Sequence, residues 1–134
     1  MTSPDRAIAK QAAIAREYGE RALLALAHID SFMARAARLV TRGRDWYDGD
    51  IDDIPRLACE VLIIKVGDAA ARVPSELRDE DPQIPWTLMS DMRNQLTHAY
   101  GGTDYEIVWS TLEDDFPGVH RRLRVILGYV DDPN

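Results

Sequence analysis

The sequence predicts an all-α protein, an up-and-down bundle of four to five helices forming one domain. Apolar residues recur at spacings of three and four along most of the chain, and no segment shows the period-two alternation of a half-buried strand. The length of 134 residues suits a single core. A composition that is 46% hydrophobic and 29% charged is that of a folded globular chain.

The first helical segment runs from about Pro4 to Arg42, with Ser3 as N-cap and Pro4 at the first helical position. Ile8, Ala12, Ala15, Leu23, Leu26, Met33, Ala37 and Val40 set its period. Gly19 breaks or bends it, so residues 1–20 read as a helical N-terminal extension of a bundle over 21–130. Gly43 is its natural stop. Arg44 to Asp53 reads as a solvated acidic loop, in which Trp46 and Tyr47 are either a partner contact or exposed aromatics without a function. Asp53 then caps a central helix from Ile54 to about Val73, with Leu57, Val61, Ile64 and Ala71 as its apolar set, joined by Leu62, Val66 and Ala69. Pro74, Pro82 and Pro85 punctuate a connector with at most one helical turn. A third helix spans about Trp86 to Tyr100 and ends at Gly101-Gly102. Thr103 and Glu106 fit a capping box for a fourth helix, Asp104 to Leu112. Phe116-Pro117-Gly118 turns the chain into a last helix, Val119 to Val130.

One constellation carries chemistry: Arg93-Asn94-Gln95-Leu96-Thr97-His98-Ala99-Tyr100. On a helix, Asn94 and His98 lie about 40° apart, and Arg93 and His98 about 140° apart. Both therefore reach one phosphate only at a concave helix end or against a second copy. The ordinary reading of so short a string is that Arg93 pairs with Asp91 or another surface acid, that His98 makes a structural hydrogen bond, and that Tyr100 packs on the glycine turn. The set offers a fixed cation, an amide, a titrating base and a phenol near a helix end, which suits chemistry at a phosphate ester, where an attacking hydroxyl must give up its proton. An imidazole, which ordinarily titrates near neutrality, can accept that proton or protonate the leaving oxygen. A guanidinium stays charged and stabilises the charge that builds on phosphorus.

R-x4-H-x-Y, followed by a glycine pair and Asp104-Tyr105-Glu106-Ile107-Val108-Trp109, resembles the HepT-type (DUF86) toxins of the HEPN class. Further stretches agree in order: Ile63-Ile64-Lys65-Val66-Gly67-Asp68-Ala69 in the central helix, Ile84-Pro85-Trp86 at the entry to the motif helix, and Met92-Arg93-Asn94 at its opening. The resemblance covers roughly Leu23 to Leu127. It implies a HEPN-like bundle that forms a homodimer, and a metal-independent endoribonuclease acting at the cleft between two subunits. Arg93 and His98 would be catalytic with Asn94 beside them, and Asp68 would support them. It also implies the toxin role of a type VII-like toxin–antitoxin system, in which a cognate minimal nucleotidyltransferase attaches AMP to Tyr100. Two positions depart from the pattern: Asp68 stands where glutamate is usual, one methylene shorter, and Thr97 where an aliphatic residue is common. The alternative reading is a non-catalytic partner subunit of a nucleotidyltransferase that binds nucleotide or RNA through the same motif.

Other candidates are weaker. Asp48-Gly49-Asp50-Ile51-Asp52 begins like a calcium loop but has Asp53 where glycine is required and Cys59 where glutamate is. No cofactor or metal is expected. His28 reads as a core histidine on the apolar side of the first helix, and Cys59 as inert packing. The absence of a long apolar run or a leader-like N-terminus points to a cytosolic chain with no membrane contact. A net charge of −7 argues against a broadly basic RNA-coating protein. Two groups of cations stand out against it: Arg35, Arg38, Arg42 and Arg44, and His120 with Arg121, Arg122 and Arg124. Either is a solvated helix face or a stripe that tracks an RNA backbone, with weak, strongly salt-dependent binding expected.

Overall fold

The computed structural model describes residues 2–99 and 101–133, and among them there is no strand. The chain forms α1 (Ser3–Tyr18), α2 (Glu20–Val40), α3 (Gly43–Asp48), α4 (Ile54–Ala71), α5 (Ser75–Glu80), α6 (Trp86–Thr97), α7 (Tyr105–Ser110), a π-helical turn (Thr111–Asp115) and α8 (Phe116–Ile126). The predicted bundle is present in the long segments, α1, α2, α4, α6 and the rod from α7 to α8. No helix among the described residues is long and apolar enough to cross a membrane.

Gly19 divides the first segment in two. It adopts φ 99° and ψ 157°, a conformation that side-chain-bearing residues rarely reach. The cap of α1 is Thr2 rather than Ser3, its hydroxyl accepting from the Asp5 amide at 3.3 Å. The first turn of a helix has unpartnered amides at every position, so Pro4 fits equally well one residue later. α1 packs on α2 and reaches the far end of the chain. There Arg6, Lys10 and Gln11 donate to the carbonyls of Gly128, Val125 and Leu127 at the end of α8.

The segment read as an acidic loop contains α3. Gly43, at φ 85°, turns the chain back onto the bundle and drives Tyr47 into the core. The Tyr47 ring lies 4.7 Å from that of Trp109, and its hydroxyl donates to the Tyr105 carbonyl at 2.7 Å. Tyr47 is therefore packing and no partner contact. Burial pushes its phenol well above the ordinary range. Arg44 and Arg56 lie against that ring and hold Asp48 between them, which lowers the pKa of the Asp48 carboxyl.

α4 is the central helix, packed most extensively on α6 and α2. The expected Asp53 cap is replaced. Asp53 sits in the left-handed region at φ 57°, and the Asp50 carboxylate accepts from the Ile54 amide instead. The buried face also differs. Cys59, Leu62, Ile63, Val66, Ala69 and Ala70 are buried, whereas Leu57, Val61 and Ala71 are exposed. Periodicity locates a buried face only where polar residues mark the other one, and α4 is apolar almost all round.

Three boundaries beyond α4 also move. The proline connector holds α5, and past it the buried Trp86 indole donates to the Asp81 carbonyl. The cap of α7 is Asp104, which accepts from the amides of Glu106 and Ile107, while Glu106 pairs with Arg44 rather than completing a capping box. Finally, Phe116-Pro117-Gly118 does not break the chain: residues 105–126 form one continuous rod. Pro117 lacks an amide hydrogen and crowds the carbonyl four residues back. The π-helical turn just before it widens the backbone there and lets the helix pass through.

Cys59 is wholly buried, and burial raises its thiol to about 11. A thiol-reactive disulfide reagent at pH 8 is expected to leave it unmodified in the native protein and to titrate one thiol in denaturant. Rapid native labelling would contradict the packing of α4.

Candidate active site at the end of α6

Gly67 determines how closely α4 and α6 approach. A Cβ at this position would lie 2.3 Å from the Arg93 Cβ and 2.7 Å from the Met89 carbonyl oxygen, closer than real atoms come. Glycine alone fits. The next residue, Asp68, is thereby brought within reach of the α6 side chain opposite it, and Arg93 Nε donates to Asp68 Oδ1 at 2.6 Å. The partner of Arg93 is thus an acid on a neighbouring helix, not Asp91 of its own surface. The short aspartate side chain spans the gap because the helices are so close.

The rest of the motif is arranged around that contact. Arg93 Nη1 donates to the side-chain oxygen of Asn94 at 3.1 Å. Asn94 meets His98 through its backbone, its carbonyl accepting the His98 amide at 3.2 Å. α6 ends at Thr97, earlier than expected, and His98 occupies the cap position at φ −102° and ψ 9°. The Thr97 hydroxyl donates to the Arg93 carbonyl at 2.8 Å, turning the polar side chain back along the helix. His98 is exposed and Arg93 half-buried. A fixed cation, an amide and an imidazole therefore share one helix end open to solvent. Tyr100, the proposed modification site, lies outside the described residues.

Several other candidates are placed elsewhere by the fold. His28 is half-exposed beside Phe32, with ring centroids 6.2 Å apart, and is not a core residue. His120 and Arg124 share Asp30, and Arg122 holds Asp81 and Asp132. Most of the cations predicted as a stripe on the last helix are thus consumed by structural pairs, and Arg44 is engaged with Asp48 and Glu106. Among the described residues no group of histidine, cysteine and acidic side chains is arranged to hold a metal ion. Sequence reasoning missed the role of Gly67, although the Gly-Asp pair in the central helix was its signal.

The molecule is thus a helical bundle that presents an arginine–asparagine–histidine set at the end of one helix. The chain belongs to the HepT-like ribonuclease family, whose model matches residues 23–126. It is similar to the protein named "Probable ribonuclease HepT" of Thermococcus cleftensis, with 37% identity over 54 residues, 40% of this chain and 49% of that one. It is also similar to "Putative RNase TTE0752" of Caldanaerobacter subterraneus, with 32% identity over 62 residues, 46% of this chain and 55% of that one. The chain spans about half the length of the curated relatives it matches. No solved structure matches it. The family match begins at residue 23, after α1 has ended.

Gly67→Ala is expected to destabilise the protein by about 1–3 kcal/mol in urea unfolding, because backbone has to move to admit the methyl group. Asp68→Ala removes only a partly exposed ion pair and is expected to cost under about 1 kcal/mol. Equal stability of Gly67→Ala and the unsubstituted protein would refute the close approach of α4 to α6.

Proposed function

We propose that the chain is a metal-independent endoribonuclease, the toxin of a type VII-like toxin–antitoxin system, acting as a homodimer. The observation that carries this is the helix end of α6, where Arg93 is held across the bundle by Asp68 while Asn94 and His98 stand beside it, in a chain of the HepT-like ribonuclease family. With Nε on Asp68 and Nη1 engaged by Asn94, the Nη2 protons of Arg93 are directed to a phosphate. His98 accepts the proton of the ribose 2′-OH as that oxygen attacks the adjacent phosphorus. The bond from phosphorus to the 5′-oxygen breaks, and the departing oxygen is protonated. The products are a 2′,3′-cyclic phosphate and a 5′-OH. The second His98 of a dimer supplies the acid opposite the base.

Support for the dimer comes from α4. Ile54, Leu57 and Val61, 62%, 45% and 47% exposed, lie on one side of the helix at spacings of three and four, and the same row leads to Asp68. An apolar ridge that ends at the site suits a seam between two copies. An AMP group on Tyr100, two residues from His98, would bring negative charge and bulk to the cleft and repel RNA. That modification by a cognate nucleotidyltransferase is the antitoxin half of the proposal.

Purified protein is expected to cleave RNA in EDTA, and His98→Ala or Arg93→Ala to lose at least about 100-fold of that rate. Equal cleavage by wild type and His98→Ala would refute the assignment. Binding of RNA without cleavage would favour the non-catalytic partner reading. Co-expression with the cognate nucleotidyltransferase is expected to add mass in AMP steps that Tyr100→Phe abolishes. Additions that survive the substitution would place the modification elsewhere.

A further inference from the structure

We infer that one face of α2 is the surface along which the RNA substrate is held outside the cleavage site, an inference that rests on the ribonuclease reading above. Arg21, His28, Arg35 and Arg42 recur every seven residues. Seven residues are nearly two full helical turns, so Arg21, His28 and Arg35 form one row on α2, drifting about 20° per step over roughly 20 Å, and Arg42 follows two residues past the helix end. Arg21, Arg35 and Arg42 are exposed, His28 half-exposed, and Arg38 stands exposed beside the row.

Two observations separate this row from the other cations. First, it is not spent on structure. Among the described residues, Arg44, Arg56, Arg93, Arg122 and Arg124 all hold carboxylates, whereas the row's arginines pair with no acid; Arg35 lies over the Phe32 ring and Arg42 over Trp46. Apart from Glu20 at its first residue, the acid of α2 is Asp30, which faces away to hold His120 and Arg124. In a chain of net charge −7, an unneutralised row this long is a local reversal of sign.

Second, the row connects to the site. Arg21 and His28 line one hollow with Arg72, which follows Asp68 by one turn of α4. Arg93 is bound to Asp68. From Arg72, one turn past Asp68, the basic side chains run by way of His28 to Arg35, Arg38 and Arg42, the last three lining the hollow between α2 and α4. The apolar ridge of α4 lines the same hollow as Arg35, Arg38 and Arg42, so the row borders a subunit seam built on the ridge. Arginines repeated at this regular spacing suit a phosphate backbone and predict binding without sequence preference.

The test uses the full chain and a fluorescein-labelled, unstructured 30-nucleotide RNA. On a His98→Ala background, Arg35→Gln/Arg42→Gln is expected to weaken anisotropy-measured binding by about tenfold and to reduce the slope of log affinity against log salt by about 1.4, two phosphate contacts' worth. Arg35→Lys/Arg42→Lys is expected to retain most of both. With His98 intact, the glutamine pair should cleave the 30-mer more slowly and a dinucleotide at the unsubstituted rate. Wild-type cleavage with unchanged 30-mer binding by the glutamine pair overturns the row and leaves the ribonuclease standing. No RNA binding or cleavage by wild type overturns both. Loss of dimer in sedimentation by the glutamine pair, or polyglutamate of matched charge competing as well as RNA, also overturns the row, assigning these arginines to a subunit seam or to an acidic protein.

Discussion

The contact between α4 and α6 at Gly67 is the constraint on which the site depends. Without a side chain at this position, the backbone of α6 comes close enough that Met89 and Arg93 occupy the space a methyl group would need. The energy of the Asp68–Arg93 pair is small, because both groups are partly exposed and water competes for them. Its importance is geometric. An arginine side chain has four rotatable bonds before the guanidinium, and fixing Nε on a rigid neighbouring helix removes much of that freedom.

Charge is divided by the same architecture. Elsewhere in the bundle, arginines and acids neutralise one another across elements: Arg44 between α3 and α7, Arg56 onto α3, Arg122 and Arg124 from α8 onto Asp81 and Asp30. These pairs tie the short helices and the termini to the long rods. The exposed arginines along α2 are left over from that pairing. An acidic total and a basic surface are therefore compatible, since the total counts residues and the surface reflects which are already paired.

Much of the fold was legible in the sequence. The helical class, the break at Gly19, the central place of α4 and the position of the motif near a helix end all follow from spacing and backbone chemistry acting over a few residues. Errors gathered where a local signal had two outcomes. Pro117 normally stops a helix, yet a π-helical turn carried the rod past it. Asp53 and Thr103 were sound caps by type, but Asp50 and Asp104 lay better placed. The acidic stretch after Gly43 was polar enough for a loop, but one buried tyrosine was sufficient to fold it onto the core.

By itself the sequence determined the chemistry on offer: a cation, an amide and an imidazole within six residues, at the end of one helix. Those positions are close in the chain, and helix geometry relates them without reference to anything else. Tertiary structure decided which acid holds Arg93, which face of α4 is buried, and which arginines are consumed. These depend on residues far apart in sequence, such as Asp68 with Arg93 or Asp30 with Arg124, and their meeting is fixed only when helices pack. Periodicity states that a helix has a buried side. Close packing against particular neighbours determines which side that is and what remains exposed.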